Sequence, residues 1–315
     1  MKCNLCESEE NELIWDKTRF EENNILKCKK CNLVFLEIKK TKKEMEDFYR
    51  DDYRKVDELP EQTPEELFND PVTRNDCKER IEFIKKRYGD IKGKKILEIG
   101  SSSGYFLEVM KNEGANVSGI ELTKSYSDFS KNLGFKVYTE PIEDLGIKDE
   151  FDLVVTFHTM EHVYCPMSVI KSINSSLKED GKFLGEVPNQ DDWRISKFNN
   201  ETIKRFHYDP NHYYYYSPKT LRKYLEKCNF TDINLETVER YNSLVQFNRI
   251  LGGEYNKENY EEVLKKDIFA KEDDDLRPPT NDSVQMEFNR MFGKEVNKYL
   301  MGNCLRWTCT KDKSS

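Results

Sequence analysis

Two of the chain's four histidines share one short stretch, Phe157-His158-Thr159-Met160-Glu161-His162-Val163, with Glu161 between them. On a helix, positions 158, 161 and 162 would lie on one face. An imidazole can take a hydroxyl proton at neutral pH, and a neighbouring carboxylate can orient it. The same trio could instead hold a divalent cation. The preferred reading is His162 as a general base with Glu161 as its orienter. A different chemistry is written at the start of the chain, where Cys3-x-x-Cys6 and Cys28-x-x-Cys31 are separated by about one small β-hairpin. Four thiolates in paired C-x₂-C spacing can close a tetrahedron around Zn²⁺, leaving no open position for catalysis, so that ion would be structural.

The elements that must position the histidines centre on Ile96-Leu97-Glu98-Ile99, which reads as a short buried strand. Gly100 to Gly104 follows as a tight small-residue turn, and Tyr105-Phe106-Leu107 starts a helix. Strand, glycine turn and helix open a nucleotide-binding βαβ unit. A dinucleotide fingerprint would need glycine where Ser102 and Tyr105 stand, and a phosphate-cradling loop would need a Lys-Ser/Thr pair after its last glycine. Neither requirement is met. The next strand, Val117 to Glu121, ends in an acid ~20 residues past the turn, where this architecture binds ribose hydroxyls. Leu122 beside it would lie against the base. Further strands read at Phe135–Tyr138, Phe151–Thr156, Phe183–Val187, Ile233–Val238 and Cys304–Cys309. The histidine stretch follows the fourth strand, at the carboxyl end where doubly wound sheets place their chemistry.

The spacing Gly100-x-Ser102-x-Gly104 resembles the glycine-rich first motif of class I S-adenosylmethionine-dependent methyltransferases. The resemblance implies an α/β, Rossmann-like fold with a seven-stranded mixed sheet whose last strand is antiparallel. It implies S-adenosylmethionine as cofactor, held by Gly100, Ser102, Gly104, Glu121, Leu122, Ile142 and Phe157. Ile142 belongs to Glu140-Pro141-Ile142-Glu143-Asp144, which is similar to the family's adenine-contacting loop. In related enzymes tyrosines of a helix before the sheet lean over the cofactor, which points to Tyr49 or Tyr53. The histidine stretch resembles the ubiquinone-pathway O-methyltransferases, whose Glu-His pair at this place binds Mg²⁺ with a further carboxylate. Here His158 holds that third place, and a hard, oxygen-preferring ion suits it poorly. His-x-x-Glu-His also matches an inverted zinc-protease motif, but that motif needs a long helix and a distant third ligand.

His212-Tyr213-Tyr214-Tyr215-Tyr216-Ser217-Pro218 through Leu221 is similar to a family segment whose histidine faces the acceptor. It implies acceptor binding by His212 or His158 and a pocket wall built by the tyrosine run. The cysteine knuckle resembles the N-terminal zinc-binding segment of some bacterial sugar methyltransferases. A sugar derivative is therefore the expected acceptor, through O-methylation of a nucleotide-linked sugar or a capsule or lipopolysaccharide precursor. Alternatives are C-methylation of a keto-sugar, or methylation of a quinone, lipid, protein or RNA. The non-enzyme alternative is a zinc-ribbon interaction module on a degenerate Rossmann domain.

With 315 residues and 12% aromatics, the chain can bury a full core and one smaller domain, despite 35% charged residues. The formal charge of −8 without a long basic run argues against nucleic acid as partner. The polar N-terminus and the lack of a long apolar run lead us to expect a cytoplasmic protein with no membrane span and reduced or metal-bound cysteines. The expected division is a zinc-binding domain over 1–40, a helical linker over 41–92, a methyltransferase domain over 93–240 plus 301–311, and a helical insertion over 241–300. That insertion would serve as a lid or as a homodimer element.

Overall fold

The structure is a computed structural model that describes residues 2–19, 21–51, 62–198, 201–240 and 283–313. Tyr53 and residues 241–282 of the expected helical insertion lie outside the described residues. The chain opens with strands β1 (Asn11–Trp15), β2 (Ile25–Cys28) and β3 (Val34–Leu36), then helices α1 (Lys42–Asp51), α2 (Pro64–Asn69) and α3 (Pro71–Arg87). Thr63 and Asp70 cap α2 and α3 by accepting from backbone N–H groups, and proline occupies the first helical position of each.

Alternation of strands and helices follows: β4 (Lys95–Ile99), α4 (Tyr105–Asn112), β5 (Asn116–Ile120), α5 (Lys124–Asn132), β6 (Lys136–Tyr138), α6 (Ile142–Leu145), β7 (Phe151–Phe157), α7 (Pro166–Ser176) and β8 (Leu177–Pro188). The remaining elements are α8 (Trp193–Lys197), α9 (Glu201–His207), β9 (Tyr214–Tyr215), α10 (Pro218–Lys227), β10 (Phe230–Val238), α11 (Ser283–Lys298) and β11 (Cys304–Lys311). The main sheet has seven strands in the order β10-β11-β8-β7-β4-β5-β6. β4 pairs in parallel with β5 and β7, and β7 with β8, whereas β11 is antiparallel to both of its neighbours. The expected seven-stranded mixed sheet with an antiparallel last strand is present.

Alternate residues of the central strands feed two cores, as the two-residue period of a strand dictates. Ile96, Leu153, Val155 and Leu184 pack on one face, and Leu97, Val154, Phe183 and Trp307 on the other. The second core runs on into the N-terminal strands through Ile25, Leu33 and Phe35. Those strands form their own sheet, and its fourth member is β9, through Val34↔Tyr215 and Phe35↔Tyr214. The tyrosine run expected to wall a pocket therefore meets the cysteine-bearing strands, and Tyr213 to Tyr216 are all buried. Residues Lys178–Lys182 form an irregular stretch inside β8. There the pairing jumps from Phe151↔Leu177 to Leu153↔Lys182, with Asp180 at φ 59.

Gly185 on β8 faces Trp307 of β11. A Cβ there would stand 2.4 Å from the indole and 2.6 Å from the Thr156 carbonyl oxygen. Because one obstacle is backbone, Gly185→Ala should destabilise the chain by about 1–3 kcal/mol. Denaturant unfolding should show a lowered midpoint, and an unchanged one would mean that β8 and β11 part easily.

Candidate active site

The carboxyl ends of β4, β5 and β7 open on one cavity of ≈ 380 Å³. The turn after β4 forms its floor. Gly100 has φ 78, and a Cβ there would lie 2.2 Å from the Thr159 hydroxyl, so this position requires glycine on both counts. Thr159 Oγ1 in turn donates to the Ile99 carbonyl at 3.2 Å, which clips the β7 loop to the glycine turn. Ser102, at φ 47, donates its backbone N–H to Glu121 Oε2 at 2.8 Å. Glu121 Oε1 accepts the Thr123 N–H, also at 2.8 Å. Both oxygens are thus fixed by backbone, and each retains a lone pair for a further donor.

Of the residues named from sequence, Gly100, Ser102, Glu121, Leu122, Ile142, Phe157, His158 and His162 line this cavity. Gly104 stands at the far end of the turn as the N-cap of α4, with φ 80. Glu161 and His212 lie outside the lining, next to His162. The ring of His212 meets that of His162 edge-on at 4.7 Å. Tyr49 of α1 also lines the cavity, its hydroxyl 3.1 Å from His162 Nδ1 and 3.3 Å from the Asn211 carbonyl.

The histidine loop is a 3₁₀ turn over Met160–His162 rather than an α-helix, and His158 precedes it at φ 53. His158 and Glu161 still meet, with Nδ1 3.4 Å from Oε1. His158 Nε2 lies 2.8 Å from Oε1 of Glu186 on β8. Glu186 is fully buried; Arg240 reaches it at 2.7 Å and Arg306 also pairs with it. Burial works against charge on His158, but hydrogen bonding with Cys304, Glu161 and Glu186 overcomes it and raises its pKa well above the ordinary imidazole value. Burial likewise opposes ionisation of Glu186, and its cationic neighbours reverse that, holding it well below the carboxylate range. His158 is a protonated ring tied between two carboxylates, which makes it a poor base.

His162 differs. Its Nδ1 stands 2.9 Å from the Asn211 carbonyl, which can only accept, so the proton sits on Nδ1 and the lone pair on Nε2. The orienter of His162 is thus a carbonyl, not Glu161. Glu161 is 1% exposed, and the His158 ring, 3.4 Å from its Oε1, is the charged group that faces it. Burial opposes its ionisation, but the His158 ring beside it outweighs that and lowers its pKa below the ordinary carboxylate value. Burial pushes His212 down to about 4, so its ring is neutral at pH 7.

The inner end of the cavity carries charges that pattern reading overlooked. Glu98, on β4, is buried, and burial raises its pKa to about 8 while Arg80 opposes the rise. Arg80 and Asp76 of α3 line the same end. An acid inside an otherwise apolar strand was the available signal for Glu98; Arg80 and Asp76 offered none, being ordinary helix charges in sequence.

The four knuckle cysteines come together as expected. Cys3 and Cys31 sulfurs are 3.4 Å apart, Cys6 and Cys28 3.5 Å, and all four lie within 4.8 Å of one another. Tetrahedral Zn–S bonds of ≈ 2.3 Å need sulfurs roughly 3.8 Å apart, so the set fits zinc. Although burial opposes it, backbone N–H groups of Cys31 and Lys30 bring the Cys28 thiol down to about 7. Asn4, inside the first knuckle, hydrogen-bonds Cys165 at 3.2 Å and Tyr224 at 3.1 Å, which docks the knuckle on α7 and α10.

A family model described as a methyltransferase domain matches residues 72–235. Among curated proteins, the chain is similar to the ubiquinone biosynthesis O-methyltransferase of Actinobacillus pleuropneumoniae serotype 7, 31% identical over 114 residues, covering 32% of this chain and 49% of that protein. The same enzyme from Haemophilus ducreyi is 32% identical over 114 residues, covering 32% and 48%. The chain thus spans about half the length of the curated relatives it matches. Among solved structures, a SAM-dependent methyltransferase from Archaeoglobus fulgidus aligns with TM-score 0.50 at 19% identity, covering 76% of this chain and 94% of that one. Haemonchus contortus phosphoethanolamine N-methyltransferase 2, in complex with S-adenosyl-L-methionine, aligns with TM-score 0.50 at 17% identity, covering 85% and 60%. At these identities the two structures share a fold with this chain.

Folding favours the protonated form of His158. Its stabilisation is complete below the unfolded imidazole value of about 6.5 and is lost as pH rises through the higher folded value. Titration followed by NMR of the ring should place His158 above the free imidazole, and Glu186→Gln should lower that value. The same variant leaves two guanidinium groups without their carboxylate and should cost roughly 3–5 kcal/mol in denaturant unfolding. A His158 that titrates at the ordinary value would contradict this charge assignment.

Proposed function

Since the chain belongs to the methyltransferase-domain family, we propose that it transfers the methyl group of S-adenosylmethionine to an acceptor seated against His162. The observation that carries this is the Glu121 carboxylate, fixed by Ser102 and Thr123 beside a turn with no phosphate-binding features. A diol donates two hydrogen bonds to such a carboxylate, as the ribose of the cofactor would. Leu122 and Ile142 would then flank the adenine, Arg80 and Asp76 offer both signs of charge to a zwitterionic amino-acid tail, and the Glu98 carboxyl offers it a hydrogen bond. The loop of His158 and His162 lines the same cavity, so a cofactor held there would present its methyl to an acceptor beside these rings. That methyl is already activated, so the protein aligns the acceptor and removes its proton, which passes to Nε2 of His162. The ring of Tyr164, 39% exposed at the cavity lining, gives the acceptor an aromatic face.

A sugar hydroxyl is the acceptor we favour, on the strength of the cysteine knuckle and the mixed aromatic and polar lining. A second reading is a phenolic hydroxyl of a quinone precursor, which the relatives' names favour. In both, the knuckle zinc has a structural role: it holds β2 and β3, on which β9 and the His212 segment rest.

Replacing Glu121 by Ala removes two charge-assisted hydrogen bonds, each worth about 1.5–3 kcal/mol, and should weaken S-adenosylmethionine binding at least roughly tenfold. His162→Ala should reduce turnover by about 10²–10⁴ with cofactor affinity nearly unchanged. Mass spectrometry after incubation with nucleotide sugars and with a soluble quinol decides the acceptor. Methylation of the quinol alone would remove the sugar assignment, and methylation of neither would remove both.

A further inference from the structure

Asp209 is a buried acid that the proposed reaction leaves unused. It opens the turn Asp209-Pro210-Asn211-His212 and holds it from both side chain and backbone. Oδ1 accepts the Asn211 N–H at 2.9 Å, the local bond that an aspartate makes two residues on. The Asp209 carbonyl accepts the His212 N–H at 3.1 Å and the Tyr215 hydroxyl at 2.9 Å. The peptide unit between Asn211 and His212 is therefore fixed through its N–H, and its C=O is the acceptor that His162 Nδ1 meets at 2.9 Å. The Tyr49 hydroxyl, 3.3 Å away, can take the second lone pair of the same oxygen. Rotation of this peptide would withdraw the acceptor from Nδ1 and free the ring to carry its proton on Nε2, the atom that has to be bare in a base.

The second oxygen of Asp209 is held from a distant part of the chain. Oδ2 lies 3.0 Å from a guanidinium nitrogen of Arg19. Arg19 stands between β1 and β2, in the segment flanked by the two cysteine knuckles. Its backbone N–H donates to the Tyr208 carbonyl at 2.9 Å, its other terminal nitrogen donates to the Phe206 carbonyl at 2.9 Å, and its guanidinium lies over the Phe206 ring. Burial opposes charge on Asp209, but Arg19, His212, the Asn211 N–H and His162 together lower its pKa below the ordinary carboxylate value.

We propose that Asp209 and Arg19 are positioning residues for His162: the ion pair fixes the Asn211–His212 peptide and, through its carbonyl, the tautomer of the ring. This rests on the reading of His162 as the base. As the acceptor oxygen bonds the methyl carbon and the carbon–sulfur bond breaks, the acceptor's proton passes to Nε2, while Nδ1–H stays on the Asn211 carbonyl. The ring then carries a positive charge, which the Asp209 carboxylate balances. In a Ser-His-Asp triad the aspartate touches its histidine directly; here a peptide unit stands between them.

Nitrogen NMR of the histidine-labelled full-length chain, at neutral pH and with no acceptor added, reads the tautomer. In the unaltered chain His162 should carry its proton on Nδ1, with Nε2 bare. Arg19→Ala and Asp209→Ala should each give a mixture of the two tautomers, and Arg19→Lys, which keeps the charge, should restore the original pattern. The ring of His158, tied to Glu186, should not move in any of them. With an acceptor found by the mass-spectrometric screen, Arg19→Ala should lower kcat by up to about 10²-fold, as small misplacements of a reacting group do, and leave S-adenosylmethionine affinity unchanged. A proton on Nε2 in the unaltered chain, an Nδ1–H that persists in both alanine variants, or a lysine variant that behaves like the alanine one overturns the proposal. So does displacement of the His158 ring together with that of His162 in Arg19→Ala, which would mean that the pair holds the fold and not the base. The tautomer is read without methyl transfer, so failure here and failure of the proposed reaction are separate results.

Discussion

The close approach of Gly100 to Thr159 is the constraint on which the site depends. β4 and β7 are neighbours in the sheet and end at the same level, so the loops that leave them must pack against each other. With 2.2 Å between a notional Cβ at 100 and the threonine hydroxyl, those loops can meet only if one of them carries no side chain. The consequence is geometric. The glycine turn and the histidine loop share one cavity, and Glu121 at the end of β5 faces it from the other side. The glycine turn, Glu121 and the histidine loop are brought together by strand order, not by long-range adjustment of loops.

Around this cavity the chain buries several charged side chains, Glu161 and Glu186 among them, and it does so in two different ways. Glu186 is surrounded by His158, Arg240 and Arg306, a closed set in which every charge has partners. Such a set fixes the wall formed by β8 and β11 without offering a group for chemistry. Glu161 has a looser partner, the His158 ring 3.4 Å away. The two buried glutamates thus hold one imidazole between them, Glu186 by a 2.8 Å hydrogen bond within its closed set and Glu161 from the loop after β7.

Much of this was legible in sequence because local pattern and tertiary role coincide. The strand, glycine turn, helix and acid at the end of the next strand repeat a geometry that short-range spacing alone specifies, and the sheet order followed. The paired cysteines were equally plain. What was not legible depends on contacts between distant segments. The tyrosine run reads as a pocket wall, yet Tyr214 and Tyr215 pair with β3, nearly 180 positions earlier in the chain, a register that sequence does not encode locally. Glu161 reads as the orienter of His162 because they are adjacent, whereas His162 Nδ1 donates its hydrogen bond to the carbonyl of Asn211. His158 reads as equivalent to His162 until Glu186, on another strand, is seen to tie down its ring.

The claim beneath all of this is that the Glu121 carboxylate and the Gly100–Gly104 turn receive a phosphate-free adenosyl ligand. Calorimetric titration of the unaltered chain with S-adenosylmethionine, and separately with a nicotinamide dinucleotide, tests it most directly. The account predicts saturable heat for S-adenosylmethionine at one ligand per chain and none for the dinucleotide. Binding of the dinucleotide, or no binding of S-adenosylmethionine, would contradict it.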